Sequence, residues 1–283
     1  MMGTINLSML KQRVVTAVIL ALVFAITLFT VPPNIFSLLI MLPIFIAGWE
    51  WCKLAEITSK FGRYSLLLSL ATLMTLVYFM LDVSGNLDRE LSYRICLYAL
   101  GLWGIILLWI QGYPSSGILW GKSPIIIFLG LTLLTTTWIA FTSIVLYENG
   151  RWLLLLAILV VVLADLGGYF AGNFLGRHKL AALVSPGKTW EGFLGGLVLQ
   201  VVLILILKIG FPTLSVVDLT ILIIPVALSS VVGDLFESML KRHSGVKDSS
   251  SLLPGHGGVL DRIDGVMAAL PMFWVLLLQS KIF

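Results

Sequence analysis

Residues 151–170 read RWLLLLAILVVVLADLGGYF, and this stretch decides what kind of protein the chain is. From Leu153 to Ala164 it is apolar without interruption. A helix rises about 1.5 Å per residue and a bilayer's hydrocarbon core is about 30 Å thick, so a run of this length suits one crossing. The alternation of a membrane β-strand is missing. Asp165 ends the run, and a carboxylate at such depth costs roughly 3 kcal/mol on insertion scales. It must face a polar cavity or a partner. Gly168, Gly172 and Gly176 follow at near-helical spacing and would let a second helix approach, so a packing hydrogen bond is the competing reading. Tyr169, one turn from Asp165, fits either; lining a site is preferred.

Similar runs recur in both directions, near 14–31, 34–48, 64–81, 92–110, 124–147, 191–207, 218–235 and 263–279. With 59% hydrophobic residues, 11% charged residues and a mean hydropathy of +1.06, the chain has too little polar surface to clothe a soluble globule. The expected fold is all-α: a polytopic integral membrane helical bundle of about nine transmembrane helices. Residues 1–150 read as a transmembrane scaffold with no catalytic residue, and 151–283 as a catalytic region with polar motif loops. Cys52 and Cys96 match no metal-ligand spacing and receive no role.

Lys and Arg gather in cytoplasmic loops. With these spans, one side takes Lys11, Arg13, Lys53, Lys60, Arg63, Lys122, Arg177, Lys179, Lys188, Lys241, Arg242, Lys247 and Arg262. The other takes only Arg89, Arg94, Arg151, Lys208 and Lys281. The N-terminus and the polar stretches 171–190 and 236–262 are therefore expected on the cytoplasmic side of the inner membrane, and the C-terminus outside.

Those stretches hold the chemistry. Ser185-Pro186-Gly187-Lys188-Thr189-Trp190-Glu191-Gly192 is not a true phosphate-binding loop, since Ala182 stands where a glycine is required and no strand is expected before it. Lys188 and the amides at the start of the following helix would still favour phosphate oxygens. In Gly233 to Arg242, Asp234, Glu237, Ser238 and Lys241 share one helical face. A charged network at a helix end accounts for the basic pair; Asp234, buried before the interface, is better explained by metal ligation. In Pro254-Gly255-His256-Gly257-Gly258-Val259-Leu260-Asp261-Arg262-Ile263-Asp264, glycines would let the backbone approach phosphate. Helix capping covers one acid here, not Asp261 and Asp264 together with Asp234; an oxygen-rich cluster of this kind suits Mg²⁺. Without a second histidine or a cysteine nearby, His256 suits phosphate donation or loop shaping better than zinc.

Taken whole, Ser238-x-x-Lys241-Arg242, Lys247-Asp248-Ser249 and Pro254-Gly-His256-Gly-Gly-x-x-Asp261-Arg262-x-Asp264 resemble the signature of the phosphatidate cytidylyltransferases, the CDP-diacylglycerol synthases. Asp165-x-Gly-Gly-Tyr169 and Ser185 to Gly192 are similar to a further segment of that family. The likeness covers 165–265 closely and the first half only in hydrophobic layout. It implies a reaction of CTP with phosphatidic acid giving CDP-diacylglycerol and pyrophosphate. It also implies a divalent metal on Asp234 and Asp261, with Asp264 and Asp248 as further acids, and Lys188, Lys241, Arg242, His256 and Arg262 around the phosphates. Ser238 and Asp165 join the nucleotide-binding group, while Asp234, Asp261, Lys241 and Arg262 form the catalytic one. One or two Mg²⁺ ions and a monovalent cation are the cofactors that fit. The partners are CTP, phosphatidic acid and the bilayer, not nucleic acid; a homodimer is a conjecture that no residue carries.

Two other classes are weighed. Asp261-Arg-Ile-Asp264-Gly265 partly resembles the acidic motif of CDP-alcohol phosphotransferases, but the longer aspartate array of that family does not follow. An ion-coupled transporter would place matched polar interruptions in both halves near the midplane, whereas the acids here cluster in the second half.

Overall fold

The structure is a computed structural model that describes residues 7–253 and 257–280, with side chains from Val15 onward. The helices are α1 (Leu7–Thr30), α2 (Pro33–Leu39), α3 (Met41–Leu54), α4 (Lys60–Met80), α5 (Arg89–Gln111) and the short α6 (Gly117–Trp120). They continue with α7 (Ser123–Val145), α8 (Gly150–Leu175), α9 (Trp190–Gly210), α10 (Val216–His243) and α11 (Leu260–Gln279). Strands β1 (Lys179–Ala181) and β2 (Ser185–Thr189) form an antiparallel hairpin between α8 and α9.

The polytopic helical bundle is present. Among the described residues, seven helices are long and apolar enough to cross a membrane, with α2 and α3 forming one of them, Pro33–Leu54. Val15–Thr30 is a shorter apolar helix. The expectation of nine thus meets seven by length and composition. The ninth expected crossing coincides with α11, which opens on Asp261, Arg262 and Asp264.

The sequence marks several of the helix starts. Ser59, Asp88 and Ser215 each accept a hydrogen bond from a first-turn amide of α4, α5 and α10, filling part of the deficit that every helix start carries. Pro33 and Pro124 sit in the first turns of α2 and α7, where the missing N–H has no cost. α7 is the central helix, buried without a break from Leu133 to Val145. Two indoles fasten α2 and α3 to its surroundings: Trp51 Nε1 donates to the Ile126 carbonyl at 2.8 Å and Trp138 Nε1 to the Ser37 carbonyl at 2.8 Å. In an apolar interior, each such bond removes a donor that would otherwise be orphaned.

Cross-links between helix ends define two opposite ends of the bundle. At one, the Arg151 guanidinium donates to the carbonyls of Phe29 and Val31 at 3.1 and 3.0 Å, and Gln279 Nε2 donates to the Tyr93 hydroxyl at 2.6 Å. At the other, Ser123 Oγ donates to the Ala55 carbonyl at 2.6 Å, and the His243 ring lies 3.1 Å from the Gly121 carbonyl. That second end gathers the last turns of α3, α8 and α10, the first turns of α4, α7, α9 and α11, and the hairpin.

Candidate active site

Two glycine contacts build the site. α8 and α9 pack most closely where Gly167 meets Gly195 and Gly196; a Cβ on Gly167 would stand 2.7 Å from Gly196 Cα. α10 and α11 touch where Gly233 meets Asp264 and Gly265, and a Cβ there would stand 3.1 Å from Gly265 Cα. Small residues are how membrane helices approach this closely. The glycines of the 165–176 stretch face α9, while Asp165 lines a cavity.

That cavity, about 390 Å³, lies between α8, α9, α10, the hairpin and the start of α11. Its charged lining is Asp165, Lys188, Asp234 and Arg262; Phe193, Leu197, Ala227 and Val231 supply apolar wall. Lys188 Nζ lies 2.5 Å from Asp234 Oδ2, and Ser238 Oγ donates to Asp234 Oδ1 at 3.3 Å. Asp264 interacts electrostatically with Asp234, Asp165 and Lys241. The four-residue face of α10 foreseen from spacing is thus split: Asp234 and Ser238 serve the cavity, while Glu237 and Lys241 form the next layer.

In that layer Lys241 pairs with Glu237 one turn earlier and, at 2.8 Å, with Asp261. Asp261 also accepts from Gly258 N at 2.7 Å and from Ser249 Oγ at 2.9 Å. The glycines around the motif loop serve the protein's own carboxylates. Gly257 has φ +84°, a backbone state that side chains rarely tolerate, and it lies against Asp261. A Cβ on Gly258 would stand 2.5 Å from Glu50 Oε1.

Glu50 is the residue that sequence reasoning passed over. It sits in the last turn of α3, 3% exposed, in the half read as scaffold. Its Oε1 accepts from Ser250 Oγ at 2.5 Å and Val259 N at 3.1 Å; its Oε2 accepts from Ser249 Oγ at 3.3 Å and Leu260 N at 2.7 Å. Glu50 therefore caps α11 from another helix, a role that the sequence reading weighed only for Asp261 or Asp264 as the alternative to metal ligation. An acid flanked by Trp49 and Trp51, two residues past an apolar run, was the available signal.

The hairpin replaces the loop expected over 171–190. α8 continues to Leu175, and Lys188 lies on β2 rather than at a helix start. Thr189 caps α9, its Oγ1 accepting from Gly192 N at 3.1 Å, so that amide is already occupied. Glu191 fixes the base of the hairpin by accepting from the amides of Arg177 and His178 at 3.1 and 3.2 Å. Arg242, expected among phosphates, donates to the Val184 carbonyl at 3.4 Å and so braces the hairpin turn. Asp248, expected as a further acid of the metal site, lines a separate cleft with Glu50 and Lys53. His256 lies outside the described residues.

Among the described residues, no group of three or more acidic, His or Cys side chains is set at ligand spacing. The donor chemistry nonetheless suits a hard divalent cation. Asp165, Asp234 and Asp264 bear on one another electrostatically, and the Lys188 ammonium occupies the cationic position beside Asp234. Asp261 has both oxygens engaged.

The sequence matches the cytidylyltransferase family model over residues 11–279. The chain belongs to that family. It is 38% identical over 284 residues to the phosphatidate cytidylyltransferase of Haemophilus influenzae, covering 94% of this chain and 97% of the relative. It is 37% identical over 271 residues to that of Pseudomonas aeruginosa, covering 95% and 97%. The Staphylococcus saprophyticus protein of the same name is 43% identical over 152 residues, 52% of this chain and 58% of the relative. The alignments with the first two relatives extend across the first half as well.

Proposed function

We propose that this membrane protein is a phosphatidate cytidylyltransferase, joining CTP to phosphatidic acid to give CDP-diacylglycerol and pyrophosphate. The observation that carries the reading is the cavity itself, where Lys188 and Arg262 stand with Asp165 and Asp234 against a wall of Phe193, Leu197 and Val231. A polyphosphate and an acylated headgroup need that mixture in one place. End-to-end similarity to two proteins bearing the name supports it.

The phosphate monoester of the lipid carries a charge of about −1.5 to −2 by analogy with phosphorylated side chains, so it attacks without a general base. Its oxygen bonds to the α-phosphorus of CTP; the bond from that phosphorus to the bridging oxygen breaks, and the electron pair leaves with pyrophosphate. The obstacle is the approach of two polyanions. Lys188 and Arg262 offset their repulsion and align them, Lys188 by exchanging Asp234 for a phosphate oxygen. Ser238 holds Asp234 in orientation during that exchange. The Lys241–Asp261–Ser249 chain keeps the start of α11, and with it Arg262 and Asp264, in register. Asp234 and Asp264, with Asp165 beside them, would hold one or two divalent ions such as Mg²⁺, which supply Lewis-acid charge at the phosphates.

The excess of Lys and Arg at the cavity end supports an orientation with that end on the cytoplasmic side of the inner membrane, where CTP is available. Purified protein in detergent, given labelled CTP and phosphatidic acid, should form CDP-diacylglycerol and lose that activity on chelation. Absence of product with active lipid and Mg²⁺ would refute the reading.

A further inference from the structure

A second cleft, which shares no lining residue with the cavity, is walled by Glu50 and Ser249. It measures about 510 Å³, and its rim carries Lys53 from the last turn of α3, Arg63 from the first turn of α4, and Lys247 with Asp248 from the loop after α10. Glu50, at its floor, is engaged by four donors. Among the described residues nothing pairs with the Lys247 ammonium. The rim thus carries three cations against one carboxylate, with Lys53 and Lys247 exposed and Arg63 half-buried.

The depth of the cleft is set by the spans. Pro33–Leu54 ends and Lys60–Met80 begins at its mouth, so it lies where hydrocarbon gives way to headgroups. The aromatic residues agree. Trp49 and Tyr64 form a tilted pair 5.9 Å apart, and Arg63 lies 5.4 Å above the Trp49 ring. Phe61, beside them, is 85% exposed. Trp and Tyr settle at the bilayer interface, and basic residues at that level attract anionic headgroups.

We propose that this cleft binds the phosphate headgroup of an anionic phospholipid from the surrounding leaflet, at a site distinct from the reaction cavity. Its rim is joined to the catalytic layer by short links. Lys53 Nζ donates to the Asp248 carbonyl at 3.1 Å, and the adjacent Ser249 donates to Asp261. A headgroup held by Lys53 and Lys247 stabilises the loop that positions Asp261, so leaflet composition bears on the site without the lipid being consumed.

The test reads binding and not turnover, so its outcome is separate from that of the proposed reaction. Native mass spectrometry of the detergent-purified protein counts retained phosphatidylglycerol, a phosphodiester, with phosphatidylcholine and millimolar inorganic pyrophosphate as comparison arms. The wild type is expected to retain phosphatidylglycerol. A Lys53→Ala, Lys247→Ala double variant should lose about tenfold in occupancy, phosphatidylcholine retention should be unchanged, and pyrophosphate should displace nothing. Equal phosphatidylglycerol occupancy in the two proteins overturns the proposal. Displacement by pyrophosphate overturns it as well, by making the ligand a soluble anion. If the double variant does not elute as a single species, Arg63→Gln on the opposite wall is read by the same criteria.

Discussion

Replacing Glu50 tests whether the first half of the chain holds the site together. Each oxygen of this carboxylate accepts one hydroxyl and one backbone amide. In Glu50→Gln one oxygen becomes an NH₂. The facing serine hydroxyl can rotate to accept from it, but the backbone N–H, of Val259 or Leu260, cannot. One buried N–H is orphaned, at about 1–3 kcal/mol. In Glu50→Ala both are orphaned, at about 2–6 kcal/mol, with a further loss of up to ~2 kcal/mol from removing a negative charge at the start of α11. Because ~1.4 kcal/mol is a factor of ten, the Gln variant should open this segment roughly 5- to 140-fold more often. Hydrogen–deuterium exchange on peptides covering Ser249 to Leu253 and Gly257 to Asp264 reads this directly. Exchange should accelerate there, more in Ala than in Gln, while peptides of α1 and α5 stay unchanged. Unaltered exchange in Glu50→Ala would refute the capping argument, whatever happened to turnover.

Gly167→Ala should lower thermal stability in detergent by the 1–3 kcal/mol typical of overpacking, because its Cβ meets α9 backbone. Gly168→Ala, whose Cβ finds only the Gly192 carbonyl at 3.8 Å, should be tolerated; equal melting temperatures would remove the Gly167 contact as a constraint. Asp234→Asn should abolish CDP-diacylglycerol formation with the elution profile intact, and normal turnover would remove Asp234 from the reaction. Lys188→Ala should raise KM for CTP about tenfold or more, read from initial rates, and an unchanged KM would show that Lys188 does no more than neutralise Asp234. Lys241→Met should destabilise the protein by about 3–5 kcal/mol, since Glu237 and Asp261 would lose the cation between them; a melting temperature equal to wild type would sink that pairing.

What the sequence determined by itself follows from local physics. Apolar runs of bilayer length dictate helices, since only internal hydrogen bonding satisfies the backbone in hydrocarbon. The unusual depth of Asp165 and Asp234 marks them as residues with a partner, and both reach the cavity. Helical spacing put Asp234 beside Ser238 and Glu237 beside Lys241. Other features were decided only by tertiary packing. No local pattern shows that Glu50 caps α11 across 210 residues of chain. Nothing in the run of residues says that Asp248 lines a separate cleft while Asp234 and Arg262 line the cavity. Those outcomes depend on which glycines meet, Gly167 against Gly196 and Gly233 against Gly265, and the contact between two backbones is a property of the pair. The sequence supplies the charges and their depth; helix packing decides which of them face one another.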